Sequence, residues 1–291
     1  MVGAAKRYLS GLALLLFGGL AAGCTQAVPQ YNLYAQAFNA QYEQGEAVLD
    51  ILSGAERTVV VRRLDRQNTP FRPDNAAYYL DNVDPPITAS FRASVRTLKV
   101  YNEALAGLAN GEAANALTAR MATLASNVTD GVAAGSVALG GPAAAAGAQA
   151  AVAGVAGALE VAKPIFNLAA TAASREAFRQ QLIAGYPAMR GLIIELRKAT
   201  PEMYEMMERS LVRRGSDESP TGLSLDADRV LAKNRQLLAA WVLLMDKSLV
   251  ALAQAVAAAD SNNSAMRVAG LTDASIELKV FAEQMRAIRL K

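Results

Sequence analysis

The chain has no histidine in its 291 residues and a single cysteine, Cys24. Without histidine there is no imidazole for a Ser-His triad, a His-ligated metal or a His proton shuttle. Carboxylate-bridged di-metal helices of the Glu-x-x-His kind are excluded for the same reason. One cysteine allows no internal disulfide and no paired-thiolate metal site. No phosphate-cradling glycine loop follows a credible strand. Aromatic residues make up only 6%, and the abundance of alanine favours helix, since that side chain loses no rotamer freedom there. A strand-like run is nearly absent too. Thr58-Val59-Val60-Val61 stands alone, and a lone strand cannot satisfy its backbone, so it reads as helix.

What is present begins at the N-terminus. Lys6 and Arg7 give a short positive region, Leu9 to Ala22 follows without a charge, and small residues close the segment at Ala21, Ala22 and Gly23. Positive, apolar and small in that order is the layout of a secretory signal. The uncharged stretch is shorter than the ~20 residues of a membrane-crossing helix. Leu20-Ala21-Ala22-Gly23-Cys24 resembles the bacterial lipobox, with leucine at Leu20 rather than at Ala21, where the family more often has it. The resemblance implies cleavage between Gly23 and Cys24 and lipidation of Cys24. It further implies that residues 24–30 tether the protein to a bilayer. Two or more acyl chains make such an anchor stable, at ~0.8 kcal/mol per buried methylene. Thr25, in place of aspartate, implies the outer membrane in a host with two membranes. Loss of residues 1–23 removes Lys6 and Arg7 and no acid, so the formal charge falls from +3 to +1. A near-neutral chain lacks the basic footprint of a nucleic-acid binder.

From Tyr31 onward helical spacing dominates. Tyr34, Ala37, Phe38, Val48, Leu52 and Ala55 fit one long helix or two stacked ones through Arg66. Residues 68–87, with Pro70, Pro73, Pro85 and Pro86, form a long connection in which Asp74 is expected to cap a short helix through Tyr78, Tyr79 and Leu80. Phe91, Val95, Leu98, Asn102 and Leu105 then recur in steps of four and three, the seam of helices packed lengthwise. Leu117, Met121, Leu124 and Val128 continue that pattern, and Leu182, Tyr186, Met189, Ile193 and Leu196 make another stripe. Thr200-Pro201-Glu202 reads as a cap and a fresh helix start. Ser210 to Gly222 reads as a loop ending in Gly215, Pro220 and Gly222, and Ser224 as the cap of a helix with core stripe Leu231, Leu238, Trp241, Met245 and Leu252. A last helix is expected from Thr272, with Leu271 and Ile276 as a staple. The fold class is all-α: an elongated bundle of long antiparallel helices over residues 31–291, holding an Ala/Gly-rich apolar hairpin.

That hairpin, Gly131 to Leu159, has 29 residues without a charge. Gly140-Gly141-Pro142 breaks it into two arms. Its length makes it a membrane candidate, and small residues four apart, as at Gly131 with Gly135, Ala143 with Gly147 and Ala150 with Gly154, permit close helix packing. The competing expectation is a segment packed inside the bundle. Alanine and glycine gain little in lipid, and Val152 and Val155 are among the few residues with substantial apolar area. Helical pore-forming toxins hold an apolar hairpin between long helices, and the layout resembles them loosely.

The remaining candidates are sparse. Glu43 with Glu46, and Glu202, Glu205 and Glu208, place carboxylates on one helix face. Solvated faces explain them more simply than acid–base catalysis does. Arg57, Arg62, Arg63 and Arg66 suit phosphate headgroups or, more simply, solvent. Phe71, Tyr78 and Tyr79 suit a recognition surface or packing of the loop onto the bundle. The expectation is a lipid-anchored envelope protein, non-enzymatic and without a cofactor or metal, that binds or scaffolds another envelope component. A membrane-inserting hairpin is the first alternative and a carboxylate enzyme the second.

Overall fold

The computed structural model describes residues 28–140, 146–170, 172, 174–212, 225–260 and 265–290. Among them are eight α-helices packed antiparallel and no strand: α1 (Val28–Arg66), α2 (Pro86–Ala109), α3 (Ala114–Gly140), α4 (Ala146–Ala170), α5 (Arg175–Lys198), α6 (Thr200–Leu211), α7 (Leu225–Asp260) and α8 (Ala265–Leu290). The 39 residues of α1 give it a length of about 58 Å. Thr58 to Val61 lie within it, so the β-branched run is helical because its register feeds the core at Val60.

Two helix ends share one device. After α1, Asn68 adopts φ 47°; Thr69 N–H then reaches Leu64 O at 3.0 Å and Asn68 N–H reaches Asp65 O at 3.1 Å. After α2, Gly111 takes φ 76°, and Glu112 N–H and Gly111 N–H close onto Gly107 O and Leu108 O. Both are Schellman ends, which satisfy the last carbonyls and turn the chain. Ser174 caps α5 by accepting from Ala177 N–H at 3.1 Å.

The core runs the length of the bundle. α2 is enclosed on almost every side, with contacts to α1, α3, α4, α5 and α7. The stripe Phe91, Val95, Leu98, Asn102 and Leu105 is buried throughout, as is the α7 stripe Leu231, Leu238, Trp241, Met245 and Leu252. Three phenols pin helices together: Tyr34 donates to Asn102 Oδ1, Tyr101 to Leu182 O at 2.6 Å and Tyr31 to Ala255 O at 2.8 Å. Buried hydroxyls need such partners, because an unpaired one carries the full cost of desolvation. The one tryptophan packs against α1 at Gly45, where an added Cβ would stand 3.1 Å from its ring.

Four boundaries differ from the sequence expectation. The short helix in the connection is a 3-10 turn, Pro73–Tyr78, which stops before Tyr79 and Leu80. Asp74 does not cap it, because Pro73 already occupies the first turn and the cap position falls on Arg72. Ala199, not Thr200, is the junction between α5 and α6. Thr200 instead turns its hydroxyl back to Arg197 O at 2.7 Å, serving the end of α5. Ser210 is inside α6, while the rest of the expected loop from 213, and Ser224, lie outside the described residues. The last helix is under way by Ala265. Thr272 is therefore interior, and Ile276, 48% exposed, makes no staple.

Candidate functional site

Lipobox residues Gly23 and Cys24 lie outside the described residues, as do residues 141–145 of the apolar segment, Gly141, Pro142 and Ala143 among them. Its residues up to 140 and from 146 are described. α3 and α4 form its two arms on either side of residues 141–145. Their facing rows step by four and three: Leu117, Met121, Leu124, Val128, Gly131, Gly135 and Ala138 on α3, and Ala148, Val152, Val155, Leu159, Ala162, Phe166 and Ala169 on α4, all buried. The α3 seam therefore tapers from large side chains near its start to glycine and alanine near the tip, so the helices approach more closely there.

The glycines mark how close. A methyl group on Gly131 would stand 2.6 Å from Leu159 Cδ1 and 3.0 Å from Ala93 Cβ; one on Gly135 would stand 3.1 Å from Ala156 Cβ and 3.5 Å from Val152 Cγ1. Gly135 thus meets Val152 and Ala156, and Gly131 meets Leu159 one turn away along the seam, with Ser90 and Ala93 of α2 behind them. Val155 is buried between Val152 and Leu159 on α4. Gly154 points elsewhere, against the Glu195 carboxylate of α5. Gly147 belongs to the first turn of α4. The outer side of the arms carries Ala133, Ser136, Ala153 and Gly157, with exposed Val137 and Leu139 near the tip and Val161 and Leu168 toward the base. Residues 148–170 and 226–260, in α4 and α7, are long and apolar enough to cross a membrane. Each buries one face against the bundle, as amphipathic core helices also do, and each leaves large apolar side chains outside: Val161 and Leu168 on α4, and Val230, Leu243 and Val250 on α7.

A second constellation lies where α1, α2 and the proline-rich connection meet. Glu56 is fully buried and accepts from Ile87 N–H at 3.1 Å, Thr88 N–H at 2.9 Å and Thr88 Oγ1 at 2.9 Å. α2 starts at Pro85-Pro86 and has no side-chain cap of its own. A carboxylate from α1 therefore does that work, facing the positive end of the helix. Burial pushes Glu56 up to about 7 from 4.5, against the pull of the Thr88 and Ile87 donors, and Asp84 adds a small further rise.

Beside it Arg92 pairs with Glu46, with Asp50 at 2.9 Å and with Asp84 at 2.6 Å. Burial alone would lower the guanidinium, and its hydrogen bonds to Asp50 and Asp84 more than reverse that, so it stays charged. Arg57 holds the connection from the other side, donating to Leu80 O and Val83 O at 2.8 Å each. Tyr78 is driven inward, and burial raises its phenol. Its neighbours are driven outward: Phe71 and Tyr79 are 70% and 45% exposed with ring centroids 5.9 Å apart, next to exposed Leu80 and Val83. The loop is packed and presents a surface at once, with the aromatics divided between the two roles.

No protein-family model, curated protein or solved structure matches the chain. Its chemistry is read from its own residues.

The other sequence candidates separate. Glu43 is exposed while Glu46 turns to Arg92, and Glu205 is held by Arg209. Arg62 closes the end of α6, donating to Ser210 O at 2.8 Å, and Arg66 donates back to Arg62 O. Arg62, Arg63, Arg66 and Arg209 line one groove with Asp65. Glu56, among the charges of the Arg57 to Arg66 face expected to be solvated, is instead buried, and Arg92 carried no expectation. Glu56 had a signal: Leu49, Leu52, Glu56 and Val60 share one helix face, so a carboxylate stands in an apolar register.

Proposed function

We propose that the chain is the precursor of a bacterial lipoprotein, anchored through Cys24 in the cell envelope. Its helical bundle binds another envelope protein and catalyses no reaction. The observation that carries this reading is the N-terminal order of Lys6-Arg7, uncharged Leu9 to Ala22, and Leu20-Ala21-Ala22-Gly23-Cys24. The Phe71, Tyr79, Leu80 and Val83 surface supports the binding half. Exposed aromatics on a braced loop lose little freedom on contact, the property of interface anchors. Metabolic labelling with a palmitate analogue tests the anchor: the wild-type chain takes up label, Cys24→Ser takes up none, and label retained in the variant overturns it. A photo-crosslinking residue at position 79 tests the surface. A defined protein adduct that disappears with Phe71→Ala supports it, and adducts with lipid alone refute it.

A second reading uses the 29-residue uncharged run as an inserting hairpin. Val152 and Val155 are core residues, so substitutions that probe insertion without unfolding belong at exposed Val137 and Leu139. Vesicle leakage by the full chain that survives Val137→Asp with Leu139→Asp would remove the hairpin tip from any such activity.

A further inference from the structure

The helix break at Ala199-Thr200 does more than redirect the chain. Where α5 ends and α6 begins, the two cross α7 and leave a surface groove of ≈ 470 Å³. Its floor is apolar: Pro201, the Tyr204 ring, Leu238 and Val242. Its rim carries Arg197, Lys198 and Arg235. Two of these cations are already matched, Arg197 by Asp246 at 2.7 Å and Lys198 by Glu195 at 2.7 Å. Arg235 differs. Its Nε donates to the Tyr204 hydroxyl at 2.6 Å and its guanidinium carbon stands 5.3 Å from the Tyr204 ring centroid. Among the described residues it meets no carboxylate. Tyr204 thus holds the guanidinium plane in place while both terminal nitrogens keep their N–H groups, a fork suited to a planar anion.

We propose that this groove binds the carboxylate end of a single-chain fatty acid, with Arg235 on the head and Pro201, Leu238 and Val242 under the first part of the chain. One cation without a carboxylate partner among the described residues fits one negative charge, which favours a carboxylate over the larger charge of a phosphate monoester. The floor is built from helices whose backbone groups are paired internally. A peptide laid on it would leave its own amides unpaired there, and a hydrocarbon chain has none to leave. This reading is independent of the anchor at Cys24 and of the Phe71–Tyr79 surface.

The test uses a fatty acid carrying a photoreactive diazirine, added to envelope vesicles that hold the full chain, with labelled residues mapped by mass spectrometry. The expected labels fall on Tyr204, Leu238 or Val242. Arg235→Gln, at an exposed position that leaves the melting temperature unchanged, lowers labelling more than ~10-fold, as loss of a charge-assisted hydrogen bond requires. The methyl ester of the same probe shows the same loss. Lys198→Gln, already matched by Glu195, stays within about twofold of wild type. Equal labelling by acid and ester overturns the proposal, as does equal labelling by an alkyl phosphate of the same length. Label concentrated on exposed Val161 and Leu168 overturns it too, and so does an equal loss in Arg235→Gln and Lys198→Gln.

Discussion

Two regions of this bundle bring helices together by opposite means. At the junction of α1, α2 and the proline-rich connection, contact is directed: Glu56 aims at two backbone N–H groups, and Arg92 gathers Glu46, Asp50 and Asp84. In the α3–α4 hairpin contact is made by subtraction. Side chains shrink along the seam until Gly131 and Gly135 let the backbones close up, and no charge takes part. The first arrangement specifies partners and has high costs when half broken. The second specifies only distance, and tolerates whatever stays small.

Removing Arg92 should separate the two most clearly. Arg92→Met leaves Glu46, Asp50 and Asp84 facing one another, and unfolding by urea should show a loss of about 3 kcal/mol, below the ~5 kcal/mol of a fully buried pair because Asp50 is largely exposed. A loss under about 1 kcal/mol would mean that the cluster contributes no more than a surface pair.

Glu56 adds a pH signature that the hairpin cannot have. It binds its proton more tightly when folded, at about 7 against 4.5 unfolded. Its contribution is therefore complete below about 4.5, falls as the pH climbs toward 7 and stays low above that. Measured against Glu56→Gln, the wild-type advantage should shrink by roughly 3 kcal/mol between about pH 4 and pH 8. A difference that is flat with pH would show that the Ile87 and Thr88 donors hold the carboxylate at its ordinary value.

Between these regions the legible and the illegible divide for physical reasons. Stripes such as Leu231, Leu238, Trp241, Met245 and Leu252 were readable because a helix with one buried face repeats every three to four residues. Glu56 was readable in principle from the same period. Arg92 was not: it lies beside the Phe91, Val95 and Leu98 stripe and not on it, where a charge reads as solvated, and only the packed bundle encloses α2 on that side as well. Tyr78 and Tyr79 are neighbours with opposite fates. A 3-10 turn ending between them sets which one goes inside, and its period leaves too short a trace. Leu271, Thr272 and Ile276 obey the grammar of a helix start in the middle of α8, because residues suited to a cap also tolerate an interior position. The groove at Arg235 needed α5, α6 and α7 together, although Thr200-Pro201-Glu202 marked the break that opens it.

In the hairpin, Gly131→Ala should cost about 1–2 kcal/mol, since overpacking against Leu159 and Ala93 outweighs the ~1 kcal/mol that alanine gains in helix propensity. Gly157→Ala, on the open side with nothing within 4 Å, should gain up to ~1 kcal/mol. Thermal melts of the pair read the difference directly, and equal shifts would mean that the seam is not close-packed. The smallest effect belongs to the exposed aromatics: Phe71→Ala and Tyr79→Ala should stay within about 0.5 kcal/mol of wild type. A larger loss would make Phe71 and Tyr79 part of the clamp rather than a surface it presents.

The length of α1 has a mechanical consequence. Over about 58 Å it lies against α2, α6, α7 and α8, and the chain enters it at one end, at Val28. A pull applied there along the axis loads all of those contacts in parallel, as shear, and does not peel them off one after another. Shear geometry makes rupture depend on the whole length of the helix. The Glu56 and Arg92 contacts, toward the far half of α1, would then bear tension together with Tyr31 and Tyr34 near its start.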